Sequence, residues 1–269
     1  MAKKQKTKRV VVIADMHCGH RSGLTPPQWQ LNPDNEIDAK WSAIQRDQWA
    51  WYRRKIKALR PIHLLLVLGD CVDGKSTKAD GRDTIRHERD AQVEMAWECI
   101  AVADADNIEM VYGTRYHVQD WENLVFDKVA ARGEKRIGAH GWPSVNGCIF
   151  DIKHMVGSSS TPYGQMTPLA KQETWNALWA EAGRQPRANI IIRGHVHYHV
   201  QGTRMVGAQE VRFLTCPALQ GVGSEYGAEQ CSRLIDFGFM HFDIATDGSY
   251  SWQPHIEVLE SQKAQTSKY

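Results

Sequence analysis

The chain has 269 residues, 42% hydrophobic and 24% charged, the balance of an ordinary globular protein with length for one large domain or two small ones. A formal net charge of +2 excludes a polyanion-binding signature spread over the whole molecule. No apolar run approaches the roughly 20 residues that a membrane-spanning helix needs.

The first segment, Lys3 to Arg9, is a basic run, read as a solvated tail with nucleic-acid contact as the alternative. It leads straight into a strand-like segment without a small-residue cleavage site, so it does not read as a secretory signal. Arg9 to Ala14 is continuous and β-branched, the pattern of a buried strand. "RSGLTPPQWQLNPDNE" is a loop rich in Pro, Asn and Gly; Trp29 is expected to pack within it, with a pocket wall that stacks a base as the alternative. Ile37, Trp41, Ile44, Tyr52, Ile56 and Leu59 recur at near-helical spacing, with Pro61 as the stop. Ile62 to Asp70 is a second buried strand, Thr84 to Ala103 a helix, Ile108 to Gly113 a third strand and Asp120 to Ala131 a helix. Strands alternating with helices predict parallel pairing with crossovers.

After Gly141 the texture changes. A strand ends at His154, "TPLAKQETWNALWAEAG" is a helix, and "RANIIIRGHVH" is a strand closing on a Gly-His turn. Short strands follow over residues 199–205, 211–214, 237–244 and 250–258, the last two joined by the hairpin turn "TDGSY". The helical tryptophans Trp41, Trp49, Trp51, Trp97, Trp175 and Trp179 are expected mostly in the core. The six cysteines (Cys18, Cys71, Cys99, Cys148, Cys216, Cys231) are scattered with no C-x-x-C pair and read as reduced core thiols of a cytoplasmic protein. One domain is expected over residues 9–260, between a flexible tail (1–8) and a flexible C-terminus (261–269).

Five apolar runs close on oxygen or nitrogen donors: Asp15 and His17, Asp70 and Asp73, Thr114 and His117, His154, and His195 and His197. Asp15 and His17 stand at i and i+2, which strand alternation would turn to one side. In an open α/β sheet the carboxyl ends of the strands line one crevice, so donors far apart in sequence can converge. Singly, each could be a turn residue, a cap or a satisfied histidine; that Asp and His, and not Lys or Glu, terminate successive strands argues against the bland reading of the whole set.

The ordered set "DMH", "GDCVDG", "GTRYH", "KHMVG" and "GHVH" resembles the calcineurin-like metallophosphoesterases, over about Arg9 to His197. It is similar to their compact phage and bacterial forms. The resemblance implies an α/β fold, a two-layered β-sandwich flanked by helices in four layers, with two divalent metal ions at one edge. It implies Asp15, His17 and His197 as ligands of the first ion, Asp70 as the bridging carboxylate, and His154 and His195 as ligands of the second. His117 matches the histidine that protonates the leaving group or stabilises the transition state, and Asp73 the carboxylate that orients it. The family carries Asn directly before that histidine, as a ligand of the second ion. Here Thr114 stands in its place with two residues added, so either the Thr114 hydroxyl ligates or water completes the site. Asp120 could also approach from the following turn.

Two divalent ions roughly 3.5–4 Å apart would clamp attacking and leaving oxygens, and a water shared between them would lose a proton near neutral pH and attack phosphorus in line. Imidazole and carboxylate ligands without thiolate suit manganese, with iron, zinc, nickel or magnesium as alternatives. Cys18 and Cys71, beside ligands, are expected to turn into the core. Arg115 either grips a substrate phosphate or is a solvated loop arginine. Lys75, Lys78, Arg82, Arg86 and Arg89 form a basic stretch that could steer a polyanion or be a solvated face. The expected function is hydrolysis of a phosphodiester, with DNA, RNA or a nucleotide as the substrate class. The alternatives are a phosphomonoesterase, disfavoured because Gly74 and Lys75 replace the arginine that follows the second Asp in protein phosphatases, and a non-catalytic metal-binding scaffold. The oligomeric state is not legible.

Overall fold

The computed structural model describes residues 7–75, 81, 83–118, 120–130, 135–159, 161–207, 209–222 and 235–263. Lys3 to Lys6, Lys78, Arg82 and Cys231, and residues 264–269 of the expected C-terminal tail, lie outside these. Strand β1 (Lys8–Ile13) pairs parallel with β2 (Leu64–Val67), β2 with β3 (Asn107–Val111), and β3 with β4 (Lys135–Gly138). Helices α1 (Glu36–Ala58) and α2 (Arg89–Ala101) make the first two crossovers. Between β3 and β4 lie a single helical turn, α3 (Arg115–Val118), and helix α4 (Trp121–Val129).

The second half begins with β5 (Ser144–Val145), β6 (Cys148–Lys153), helix α5 (Met166–Glu181) and β7 (Ile190–Arg193). It continues with β8 (Gln201–Val206), β9 (Gln209–Thr215), β10 (Gly238–Ile244) and β11 (Tyr250–Ile256). Among the described residues the strands form one sheet in the order β11-β10-β1-β2-β3-β4 and another in the order β5-β6-β7-β9-β8.

Alternation along the strands builds the layers. Val10, Val12, Leu64 and Leu66 face the second sheet, where Phe150, Ile152, Ile190 and Ile192 meet them. Val11, Ile13, Leu65 and Val67 face the other way, against Tyr52 and Ile56 of α1, Val93 and Ile100 of α2 and Val125 of α4. Leu169 of α5 covers Ile191 and Val211 on the outer face of the second sheet. The result is helices, sheet, sheet, helix, as expected. No described helix is long and apolar enough to cross a membrane.

Several details differ from expectation. The second helix begins at Arg89, not Thr84, because the preceding backbone is used elsewhere: Ile85 N–H donates to Gly19 O (2.7 Å) and Arg86 O accepts from Gln92 Nε2 (2.6 Å). Strand β4, "KRIG", has no alternating apolar signal, and β5 has two residues; neither was anticipated. Trp41 and Trp51 are buried, and Trp49 and Trp97 pack against the core, but Trp175 and Trp179 are 56% and 48% exposed. The inward face of α5 is instead Leu169, Glu173 and Asn176, with Glu173 bound to Arg187 and Asn176 Nδ2 donating to Asp151 Oδ2 at 2.9 Å. Polar anchors, not the tryptophans, orient this helix. Arg9 is no free tail cation: it is paired with Asp243 at 2.7 Å, and Lys8 already lies opposite Ile244 in the sheet.

Candidate metal centre

The first candidate pair does not sit on a strand. β1 ends at Ile13, and Asp15 and His17 both adopt left-handed backbone, with φ of 52° and 43°. Their common direction therefore comes from this loop and not from strand pleating. The loop continues the parallel pairing beyond both strands: Asp15 N–H donates to Gly69 O (3.1 Å), His17 N–H to Asp70 O (2.9 Å) and Cys18 N–H to Cys71 O (3.0 Å). Asp70, His195 and His197 are also left-handed (48°, 74° and 57°), so five site residues hold a conformation that costs a non-glycine residue on the order of 1–3 kcal/mol. Cys18 and Cys71 are buried, as expected.

Two devices lock Asp70. Thr114 N–H donates to Asp70 Oδ1 at 2.6 Å. A Cβ on Gly113 would lie 2.2 Å from both the amide nitrogen and Oδ1 of Asp70, so only glycine lets the end of β3 approach this closely. Glu122, fully buried on α4, ties the same two loops together. Its carboxylate accepts from Cys71 N–H (3.0 Å) and Gly113 N–H (2.7 Å).

These loops converge into three groups, the first two sharing His17, and within each group the donor atoms lie within 4.8 Å of one another: Asp15, His17 and His197; His17, Asp73 and His117; and Asp70, His154 and His195. Each group could hold a metal ion. Asp15 Oδ1 is 3.2 Å from His197 Nε2. Asp70 Oδ2 lies between two groups, 3.2 Å from His154 Nε2 and 3.8 Å from His17 Nε2. Asp15, His17, Asp70, Asp73 and His154 are buried; His117, His195, His197 and Thr114 are half-buried.

The donor set fits divalent ions on an observation independent of residue type. His17 Nδ1 donates to Asp73 Oδ1 (3.3 Å), and Nε2 of the same ring is buried without a hydrogen-bond partner. A buried polar atom without a partner is costly unless something else satisfies it. His154 is anchored in its own way: its Nδ1 donates to Leu68 O at 2.5 Å, a carbonyl that can only accept, and its Nε2 faces Asp70 Oδ2 at 3.2 Å.

Electrostatics agree with an ionised, cation-seeking site. Burial opposes the charge of Asp15, yet His197 and His154 hold its carboxyl below the usual range. At Asp70 burial is likewise outweighed, by His154 and His17, and the carboxyl is held well down. Burial would lower His154, but the charge and hydrogen bond of Asp70 push it up to about 9. His117 moves the other way, pushed down by burial and then by the charge of His17. Burial, reinforced by the charge of Asp70, raises Glu122 to about 7.

The "GTRYH" segment folds as a turn of helix. His117 N–H donates to Thr114 O (2.9 Å), so the added residues coil and bring His117 back over the first group, 4.7 Å from the His17 ring. His117 Nδ1 donates to the backbone carbonyl of Asp73 (3.1 Å), while the Asp73 carboxylate is farther, at 3.7 Å, and bonds His17 instead. The Thr114 hydroxyl stands between His154 Nε2 (3.1 Å) and His195 Nδ1 (3.2 Å), as a ligand of that group would. Arg115 is exposed on α3 and Asp120 is exposed at the start of α4; both line an adjoining cavity and neither joins the groups. Of the basic stretch, Arg89 is paired with Asp90 and Lys75 is exposed. Trp29 packs against the helix-side core, with Nε1 donating to Glu98 Oε1 of α2 at 3.1 Å.

Two residues of the site were not anticipated. His20 is buried beside the first group, its Nε2 3.9 Å from Asp83, and burial pushes it down to about 4. Its signal was visible as the last letter of "DMHCGH". Glu122 had none, being one acid among many on a helix.

No family model matches the chain, and no curated protein does. Among solved structures it is similar to one described as a novel archaeal phosphodiesterase, with 12% identity, a TM-score of 0.44 and coverage of 92% of this chain and 99% of that one. It is also similar to a protein of unknown function from Aquifex aeolicus, with 17% identity, a TM-score of 0.36 and coverage of 71% of this chain and 80% of that one.

Proposed function

We propose that the protein is a binuclear metal-dependent phosphoesterase that hydrolyses phosphodiester bonds, with residues 9–260 forming its single catalytic domain. The observation that carries this reading is the position of Asp70 Oδ2 between His17 Nε2, which is buried and without a hydrogen-bond partner, and His154 Nε2. One carboxylate facing two imidazole groups is the arrangement a bridged ion pair requires.

In this reading Asp15, His17 and His197 would hold one ion, His154, His195 and Thr114 the other, and Asp70 would serve both. Manganese suits the mixed oxygen and nitrogen donors. When bound, the ions would neutralise the phosphate oxygens and supply a water nucleophile activated near neutral pH. The remaining work falls to the chain. Asp73 fixes the His17 tautomer through its carboxylate and aims His117 through its carbonyl. Because that carbonyl holds the Nδ1 proton, His117 can pass a proton to a leaving oxygen only from Nε2 of its charged form.

The test is metal content together with hydrolysis of bis(p-nitrophenyl) phosphate. The reading expects two manganese ions per chain, turnover lost on chelation and restored by manganese, and a loss of about 10³-fold or more in Asp70→Asn. A chain that binds metal but hydrolyses neither this diester nor p-nitrophenyl phosphate would overturn it.

A further inference from the structure

A cavity of about 620 Å³ opens beside the Asp70–His154–His195 group, at the carboxyl ends of β3, β4 and β6. His154 and Gly113 belong both to its wall and to the metal centre, so the two are continuous. The volume is that of a small-molecule site, on the order of 300–1,000 Å³, and far below what a folded nucleic-acid duplex would need.

Its lining is chemically divided. Tyr112, Val118 and Met155 give an apolar wall with an aromatic face and a soft thioether. Tyr112 hydroxyl donates to Asn123 Oδ1 at 2.8 Å, which fixes both side chains and leaves the Asn123 amide N–H groups as donors. Its charged lining is two cations, Arg115 and Lys153, for which no ion pair or hydrogen bond occurs among the described residues, and one exposed carboxylate, Asp120. Most other arginines near the site are committed: Arg21 to Asp83, Arg89 to Asp90 and Arg193 to Asp151. Two uncommitted cations beside an aromatic wall suit a planar apolar group that carries its own anion.

We infer that this cavity is a substrate subsite for one nucleoside unit, with the base against Tyr112 and Met155 and the next phosphate between Arg115 and Lys153. The inference rests on the phosphoesterase reading for its place in catalysis and narrows the substrate to a nucleotide phosphodiester. The same unit could come from a free small nucleotide or from the end of a single strand.

The test is calorimetric binding of adenosine 3′,5′-bisphosphate and of inorganic phosphate to the manganese-loaded protein. The bisphosphate should bind more tightly than phosphate, and Arg115→Ala and Lys153→Ala should each reduce that preference about tenfold, the worth of one charge-assisted contact. Tyr112→Leu should reduce it while leaving phosphate binding in place. Equal affinities in the wild type, or a preference untouched by all three variants, would overturn the subsite. Tighter binding of the bisphosphate than of a single-stranded hexanucleotide names small nucleotides as the source, and the reverse order names a strand end; either supports the subsite. Binding is read without turnover. A protein that prefers the nucleotide but hydrolyses no ester therefore sinks the phosphoesterase reading alone, and one that hydrolyses generic esters without nucleotide preference sinks the subsite alone.

Discussion

Asp15, His17 and His197 meet beneath backbone that continues the pairing of β1 with β2, whereas Asp70, His154 and His195 meet at the wall of a cavity. On the first side the histidine is held through Nδ1 by a buried carboxylate, Asp73, and its other nitrogen has no partner but the cleft. On the second side a neutral hydroxyl, Thr114, stands between the two imidazoles. The two sides are equally buried and differ in chemistry; in the proposed reading the side with Asp73 behind its histidine would hold its ion more firmly than the side with Thr114. Preorganised carboxylate and imidazole groups bind a divalent ion more firmly than a hydroxyl does.

Four experiments test that contrast. The largest effect is expected from His17→Ala, which removes the buried imidazole common to two groups. Turnover of bis(p-nitrophenyl) phosphate should fall about 10³-fold, with the metal count dropping from two toward one. An unchanged count would erase the distinction between the two sides. Next is Glu122→Ala, which leaves the buried N–H of Cys71 and the half-buried N–H of Gly113 without their acceptor. It should cost about 2–3 kcal/mol in denaturant unfolding, and Glu122→Gln less, because one amide oxygen still accepts.

Graded chelation should then remove metal in two steps. The ion on the Thr114 side should leave first, by about tenfold in chelator concentration, seen as two transitions in a manganese titration. The smallest effect belongs to Thr114→Asn, which supplies an amide carbonyl at that position. It should tighten the weaker step several-fold while hardly moving the other. Movement of both steps together would mean that the two sides act as one.

Much of this was legible in the sequence, for identifiable reasons. β1, β2, β6 and β7 are dense β-branched or aliphatic runs, and the donors that follow them stand out because buried strands seldom close on Asp and His. Parallel pairing with helical crossovers followed from strands and helices alternating in the first half, and the four-layer order from the family resemblance. What escaped was set by tertiary context. "KRIG" becomes a strand only because β3 offers it an edge. Trp175 and Trp179 face outward because Glu173 and Asn176 claim the inward side of α5. The common direction of Asp15 and His17 was foreseen, but its cause was not. Left-handed backbone leaves no mark in a sequence when aspartate and histidine, rather than glycine, adopt it.

That backbone bears on transplanting the site. The direct way to graft these side chains onto an unrelated sandwich is to copy Asp15, His17, Asp70, His195 and His197 as five rotamers on five Cα positions. Those rotamers are reachable only from left-handed φ values held by hydrogen bonds such as Asp15 N–H to Gly69 O and His17 N–H to Asp70 O. A host with ordinary strand ends would aim the same residues elsewhere. The portable unit is the paired loops with Gly69 and Gly113, and a design that keeps the loops while altering the ligands should stay nearer the original geometry than one that keeps the ligands and replaces the loops.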